Sequence, residues 1–274
     1  MMAGNSVIRR RFVSERARAI ALALGILAGS ASSVRAQISV DELEVFLQPG
    51  SRTAGSIRVT NETDRVVQAF IEIDDWDRDD TGANRFFPSG TLPQSCRDRL
   101  KVFPLTLRLE PRASETLRVT IDDAADAASC WGIVFVQANE PRPQLVGSGI
   151  TYVIRTGIKV YVQRGDARRD GAIEEVRINE RGAGEPRSAR EAEVVFHNLG
   201  EAHLKTSGSI EVRRSDNSLV AKLDVPEFRS VPGAVRRLKL ELPAGLAPGS
   251  YVALALLDYG GQEIAAGQIE FQVK

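Results

Sequence analysis

A long run of alternating apolar residues constrains this chain more than any other feature. Between Ile150 and Val162, the seven even-numbered positions form a nearly unbroken apolar row, whereas the odd positions are mixed. A period of two is typical of a β-strand with one apolar face. At about 3.3 Å per residue the run would extend roughly 43 Å, about twice a usual strand. It therefore predicts either a core strand that extends beyond its sheet or a strand that is partly meant for another chain.

Short apolar or alternating segments continue on both sides of this run and are separated by turn residues such as Pro49-Gly50 and Pro232-Gly233. Regular short strands with such turns indicate antiparallel sandwiches, and segments with a helical period are missing from this part of the chain. We expect an all-β protein with two consecutive antiparallel β-sandwich domains. The predicted domains are residues 37–163 and 172–274, joined by a polar, glycine-containing linker at residues 164–171.

The first 36 residues have the composition of an export signal. A basic segment from Arg9 to Arg18 precedes an apolar segment from Ala19 to Ala28, and small residues then lead to Ala36. This order predicts a signal peptide that is cleaved after Ala36. The adjacent arginines fit both Sec export and a twin-arginine signal, so both routes stay open. Because no later segment has the roughly 18 apolar residues of a membrane span, we expect an exported protein that does not span a membrane.

The charge of the predicted mature protein is mildly negative. Six of the 36 basic residues and one of the 36 acidic residues lie in the first 36 positions, which leaves 30 basic and 35 acidic residues. A net charge of −5 in this remainder argues against a nucleic-acid partner.

Two cysteines, Cys96 and Cys130, remain after the predicted cleavage. In an oxidising compartment an even pair predicts one disulfide, which would stabilise the fold by about 3–4 kcal/mol in the chain-entropy picture. Two buried free thiols are the alternative. Neither cysteine has a histidine or a further cysteine at metal-ligand spacing, so we expect no zinc site.

Few residues could carry chemistry. The acidic run that starts at Asp77 has oxygen-bearing side chains at calcium-loop spacing, but position twelve is Pro88 instead of glutamate, so a solvated loop is the alternative. The two histidines, His197 and His203, lie near Glu201 and are typical of a polar turn. Nucleophile-elbow, zinc-protease and phosphate-binding motifs are missing. We therefore predict no enzymatic activity, no cofactor and no metal.

An ordered series of short segments runs through the first predicted domain over about a hundred residues: Ser56–Asn61, Gln68–Ile71, Phe103-Pro104, Leu107–Pro111, Thr116–Val119, Glu140–Pro143 and Ile158–Tyr161. The series resembles the periplasmic pilus-assembly chaperones of the PapD type. The resemblance implies two immunoglobulin-like antiparallel β-sandwich domains, a periplasmic location and a role in pilus or fimbrium assembly. The second predicted domain matches this family only in architecture.

The resemblance also implies a use for the long strand. In that family the last strand of the first domain lends alternate apolar side chains to a pilin subunit that lacks its own final strand, which is donor-strand complementation. The corresponding donor positions are Ile150, Tyr152 and Ile154, and Lys159 corresponds to the residue that anchors the subunit's C-terminal carboxylate. Such a charge-assisted hydrogen bond contributes about 1.5–3 kcal/mol. An ordinary core strand and a solvated edge lysine are the alternatives.

Three positions differ from the family pattern. Glu44 lies where the first strand should supply a second cationic anchor, Arg112 stands where the family has glycine, and Ala128-Ser129-Cys130 replaces the glutamate before the sixth strand. The pairing of two cations around a carboxylate is therefore the least supported part of the resemblance.

We expect a non-enzymatic periplasmic chaperone whose partners are pilin or fimbrial subunits. Whether an outer-membrane usher is a second partner, and what the second domain does, stay open. The alternative is an exported structural or adhesive protein of two β-sandwich domains without chaperone activity. Neighbouring reading frames for pilin-like and usher-like proteins would favour the chaperone.

Overall fold

The regular secondary structure consists of β-strands alone in the residues that a computed structural model of the chain describes, namely 37–122, 128–139, 154–180 and 190–274. This confirms the predicted all-β class. The strands are β1 (Ile38–Val40), β2 (Glu44–Leu47), β3 (Ala54–Asn61), β4 (Val67–Arg78), β5 (Asn84–Phe87), β6 (Leu100–Phe103), β7 (Thr106–Leu109), β8 (Ser114–Ile121), β9 (Cys130–Asn139), β10 (Arg155–Val162), β11 (Gly171–Glu180), β12 (Arg190–Asn198), β13 (Leu204–Arg214), β14 (Leu219–Ser230), β15 (Val235–Glu241), β16 (Gly249–Asp258) and β17 (Ala265–Val273).

Strands β1 to β10 form two sheets around one core, and we call this part the first sandwich. One sheet has four antiparallel strands in the order β1-β3-β8-β6, and the other has the order β2-β10-β9-β4-β5 with β7 also paired to β4. Every second side chain of β3 and β8 is buried, as at Ile57 and Leu117, because alternate residues of a strand face opposite sides. These side chains share a core with Ile158, Val160 and Val162 of β10.

Strands β11 to β17 form the second sandwich. Its sheets have the orders β11-β12-β15 and β14-β13-β16-β17, with all pairs antiparallel. Phe196, Ile210 and Leu257 are fully buried between them. Two of the connecting turns use left-handed backbone at Asn217 (φ 68°) and Gly233 (φ 75°), which asparagine and glycine adopt more easily than other residues.

The predicted disulfide is confirmed. Cys96 and Cys130 are bonded, with sulfur atoms 2.08 Å apart, and both residues are buried. The bond ties the segment before β6 to the first residue of β9, which is followed by Trp131. The disulfide therefore holds the end of a central strand that also supplies aromatic residues to the site described below.

Two parts of the first sandwich differ from the sequence-based expectation. Strand β4 continues beyond its apolar residues to Arg78, where its polar residues pair with β5, and the sequence predicts neither this extension nor β5. Strand β5 is short and mostly exposed, so it shows no clean alternation of apolar and polar residues.

Other predictions concern parts of the chain that the structure does not describe. The signal peptide and the donor positions Ile150 and Tyr152 lie outside the described residues, and the domain boundaries remain predictions. The described residues all belong to one compact unit. Within the four described ranges, no helix combines the length and apolarity that crossing a bilayer requires.

Candidate functional site

Strand β10 is covered along only half of one edge. Strand β9 pairs with it from Arg155 to Val162, whereas β2 pairs with it in parallel only from Lys159 onward. The Lys159 N–H donates to Leu43 O over 2.9 Å. Because backbone groups alternate along a strand, those of Arg155 and Gly157 face the same edge as those of Lys159. No strand among the described residues pairs with them there.

The two faces of β10 have different surroundings. Ile158, Val160 and Val162 point into the core of the first sandwich and have no exposed surface. Ile154 has the same parity but is 46% exposed, so the apolar row leaves the core at this residue. Ile154, one of the three predicted donor positions, therefore lies where the strand emerges from its own sandwich.

Lys159 lies on the opposite face of β10 and is half-buried. Its Nζ donates to Asn84 Oδ1 over 3.0 Å and lies 4.4 Å from the centre of the Trp76 ring. Burial lowers the pKa of Lys159 to about 8, with Arg78 and Arg229 lowering it further and Glu44 raising it. No carboxylate among the described residues lies within 4.0 Å of Nζ. The ammonium group is thus partly desolvated, and no carboxylate among the described residues is in ion-pair contact with it.

Glu44, which stands in place of the family's second cation, is neutralised by the second sandwich. Arg229 Nε lies 2.7 Å from Glu44 Oε2, and the Tyr161 hydroxyl donates to Oε1 over 3.1 Å. Burial and the neighbouring carboxylate raise the pKa of Tyr161. Arg78 donates to Arg229 O over 2.8 Å. Cations from β4 and β14 therefore surround Lys159, and none of them comes from β2.

Beside Lys159 an open groove of about 730 Å³ follows the uncovered part of β10, and we call it the Lys159 groove. A Cβ atom on Gly157 would lie 2.7 Å from Ile133 Cδ1 and 2.9 Å from a Phe135 ring carbon, so glycine keeps the floor open. Arg155 stacks 4.0 Å above the Phe135 ring and pairs with Glu72 and Asp74. The groove combines an apolar floor with charged side chains of both signs. Its lining residues are Glu42, Leu43, Glu44, Asn84, Phe86, Ile133, Phe135, Arg155, Gly157 and Lys159.

An aromatic seam joins the two sandwiches below this groove. His203 of the second sandwich packs edge-on against Trp131 and Tyr161 of the first, with ring centroids 5.2 and 4.7 Å away. Val231 extends the same buried cluster. Burial, with a further contribution from Arg229, lowers the pKa of His203 to about 3, so its ring is neutral. His203 is therefore buried in the contact between the two sandwiches. The sequence-based interpretation of His203 as part of a polar turn was wrong.

The acidic run begins in the last residues of β4 and continues into the turn of a hairpin with β5. Asp77 is paired with Arg85, and Asp80 lies 3.2 Å from Arg237 of β15. The Asp79 carboxylate accepts hydrogen bonds from the Thr81 hydroxyl and the Ala83 N–H. These contacts favour the loop interpretation over a calcium site. The described ranges contain no group of three residues that could hold a metal ion.

Sequence reasoning placed Lys159 on the right strand but missed its surroundings. Arg229 and Arg78 were not predicted as cleft residues, because the seam that brings them together joins segments far apart in the chain. The sequence contained a partial indication of the apolar groove floor, because the segment Trp131–Val136 is apolar on both faces. Such a strand is expected to be covered on both sides.

No family model matches the sequence, and no curated protein matches it. The fold does match solved structures. One is described as a chaperone–tip adhesin complex of CFA/I fimbriae biogenesis, with a TM-score of 0.51 and 14% identity over 85% of this chain and 98% of that chain. Another is the class 5 fimbriae chaperone CfaA, with a TM-score of 0.50 and 14% identity over 84% of this chain and 98% of that chain. The chain thus has the two-sandwich fold of these fimbrial chaperone structures.

Proposed function

We propose that this protein is a divergent periplasmic chaperone that binds pilus or fimbrial subunits by donor-strand complementation. The observation that carries the proposal is the half-covered strand β10, whose open edge at Arg155 and Gly157 lies beside Lys159. An unpaired strand edge accepts a further strand by main-chain hydrogen bonds. The shared fold with fimbrial chaperone structures supports the same role. The role is one of binding, without enzymatic chemistry.

The apolar row of β10 supplies the donor side chains in this proposal. Ile154 has the parity of the core residues and is exposed where the row leaves the sandwich. Ile150 and Tyr152 continue that parity toward the N-terminus of the run. A subunit that lacks one strand would receive these side chains in its own open core and would pair its backbone with the open edge.

Lys159 anchors the subunit's C-terminal carboxylate in this proposal. Its ammonium group lies at the end of the open edge and has a neutral acceptor, Asn84, as its hydrogen-bond partner. Arg78 is the nearest candidate for the second cation, because Glu44 and Arg229 neutralise each other. A carboxylate bound by Lys159 would gain about 1.5–3 kcal/mol from a charge-assisted hydrogen bond.

The remaining assignments follow from this role. The first 36 residues would be a signal peptide removed after Ala36, and the mature protein would act in the periplasm. Residues 37–163 would form the subunit-binding domain, residues 164–171 the linker and residues 172–274 the second domain. An outer-membrane usher would be the natural acceptor of the loaded subunit.

Co-expression with subunits from neighbouring pilin-like reading frames, followed by affinity capture, tests the proposal. The double variant Tyr152→Glu with Ile154→Glu should abolish complex formation while the free protein keeps its circular dichroism spectrum and unfolding midpoint. Charged side chains cannot enter a subunit's apolar groove without a large desolvation cost.

A matched control is the double variant Leu219→Glu with Ile264→Glu, which changes two exposed apolar residues of the second sandwich (52% and 55% exposed). It should bind subunits like the wild type. Complex formation that survives the Tyr152 and Ile154 changes would overturn strand donation, and unfolding of that variant would identify a core strand instead. A wild-type protein that captures no subunit would favour the structural or adhesive alternative.

A further inference from the structure

Beside Phe46 and Leu47 of β2, a second pocket of about 420 Å³ is lined by residues of both sandwiches, and we call it the joint pocket. The turn after β2, the linker, β13 and β14 each contribute one cation to its wall. Its lining residues are Phe46, Leu47, Gln48, Arg52, Gln163, Arg169, His203, Lys205 and Arg229. Four of these side chains are cationic and none is acidic, although the chain as a whole has no formal net charge.

The cations of the joint pocket are only partly neutralised. Arg229 pairs with Glu44 and Lys205 pairs with Glu227, and both acids lie outside the pocket lining. Arg52 and Arg169 have no carboxylate within 4.0 Å among the described residues. Like charges brought together around a concave surface raise the local concentration of anions.

His203 provides an independent indication of a ligand. It lines the pocket and is only 8% exposed, yet neither ring nitrogen has a hydrogen-bond partner among the described residues. Buried polar groups are normally satisfied, so an unpartnered imidazole at a pocket wall indicates a missing acceptor. The Gln163 side chain accepts a hydrogen bond from the backbone N–H of His203 over 2.7 Å, which holds this segment beside the pocket.

We propose that the joint pocket binds a phosphate-class oxyanion that bridges the two sandwiches. Arg52, Arg169, Lys205 and Arg229 come from four separate segments and all line this pocket. A tetrahedral dianion offers acceptors in several directions, whereas one planar carboxylate is satisfied by one or two cations. Phe46 adds an apolar wall, so a phosphate monoester fits the lining as well as free phosphate does. The site is separate from the open edge of β10 and does not depend on the proposed chaperone role.

Calorimetric titration of the purified protein with inorganic phosphate, at constant ionic strength against chloride, tests this site. The double variant Arg52→Gln with Arg169→Gln should weaken phosphate binding by about tenfold or more, since it removes two charge-assisted contacts. The matched control Arg58→Gln with Arg118→Gln changes two exposed arginines on β3 and β8 of the first sandwich and should bind phosphate like the wild type.

Two further titrations complete the test. Acetate at equal ionic strength should bind at least about tenfold more weakly than phosphate, because a single carboxylate leaves most of the cations unpaired. Titration with phenyl phosphate distinguishes a monoester ligand from free phosphate. If phenyl phosphate binds more tightly than inorganic phosphate, the natural ligand is a phosphate monoester. If it binds more weakly, the ligand is the free ion. Equal phosphate affinity of the wild type and the Arg52 and Arg169 variant would overturn the proposal, as would equal binding of acetate and phosphate.

Discussion

Lys159 and Glu44 are register partners on β10 and β2, but each has a different electrostatic partner. Glu44 pairs with Arg229 of the second sandwich, whereas Lys159 contacts Asn84 and the Trp76 ring. From the sequence, Glu44 was identified as a departure from the family pattern, and the structure shows that its charge is paired with Arg229. Its compensation by Arg229 could not be predicted, because the contact depends on how the two sandwiches meet. The local sequence therefore predicts the position of Lys159 on its strand but not the charged groups around it.

Subunit binding should weaken as the pH rises from 7 to 9 if Lys159 anchors a carboxylate. Burial lowers the pKa of Lys159 to about 8, so the free protein loses this charge within that range. A carboxylate binds the protonated amine, and the subunit's own carboxylate is ionised throughout. By linkage, the dissociation constant should be about tenfold higher at pH 9 than at pH 7. Fluorescence anisotropy with a labelled subunit measures this change.

Two variants separate this effect from other titrations. Lys159→Arg keeps a positive charge over the whole range, so its binding should not depend on pH between 7 and 9. Lys159→Ala should bind weakly at both values, with a loss at pH 7 of about 1.5–3 kcal/mol. A wild-type dissociation constant that is constant across the range, or an unchanged Lys159→Ala variant, would remove the anchor role.

The strands differ in how well their sequences reveal them. In strand β10 every second residue is apolar at Ile158, Val160 and Val162. This alternation predicted both the end of the strand at Val162 and the face that is buried. Strand β5 is mostly exposed and packs through Phe86 on Phe135, so its pattern resembles a loop. Strand order, including the parallel pairing of β2 with β10, follows from long-range contacts that periodicity does not encode.

The disulfide should contribute stability at the level of the elements that it connects. It joins Cys96, before β6, to Cys130 at the start of β9, with a sequence separation of 34. The double variant Cys96→Ser with Cys130→Ser should lower the free energy of unfolding by about 3–4 kcal/mol in the chain-entropy picture. Urea denaturation followed by tryptophan fluorescence measures this loss, because Trp131 follows Cys130 directly.

Reduction provides the matched comparison for this prediction. A thiol reductant should lower the stability of the wild type toward that of the serine variant and should leave the serine variant itself unchanged. A serine variant as stable as the oxidised wild type would show that the loop is held by its other contacts. These include the Asp75 carboxylate, which accepts hydrogen bonds from Leu92 N–H and the Ser95 hydroxyl.

Across the whole molecule, the two sandwiches meet through contacts of several kinds. The aromatic seam places His203 against Trp131 and Tyr161, and the Arg229–Glu44 ion pair lies at its edge. The existence of two sandwiches was readable from the spacing of strands and turns. The contact between the two sandwiches could not be predicted, because it depends on single side chains such as His203, which are not part of a periodic pattern. The cleft is therefore a property of the assembled chain.

A charge exchange across this contact tests whether the Arg229–Glu44 pair couples the two sandwiches. Glu44→Arg and Arg229→Glu should each destabilise the protein, because each variant places two like charges where the present pair lies. The side chains of that pair are only 28–29% exposed. The double variant restores opposite charges and should recover about 1 kcal/mol or more relative to the sum of the single changes. Recovery should stay incomplete, since the Tyr161 hydroxyl loses its acceptor on Glu44.

The same exchange at Lys101 and Asp122 is the control, because that pair lies within the first sandwich and its side chains are 67% and 54% exposed. Exposed pairs contribute about 0–1 kcal/mol, so this exchange should show almost no coupling energy. Small-angle scattering of each protein then reports whether the single variants change the distance between the sandwiches. If the Arg229 and Glu44 changes are additive and scattering is unchanged, this ion pair does not couple the two sandwiches. If they are coupled, the acid on β2 that replaces the expected cation is part of the joint between the sandwiches.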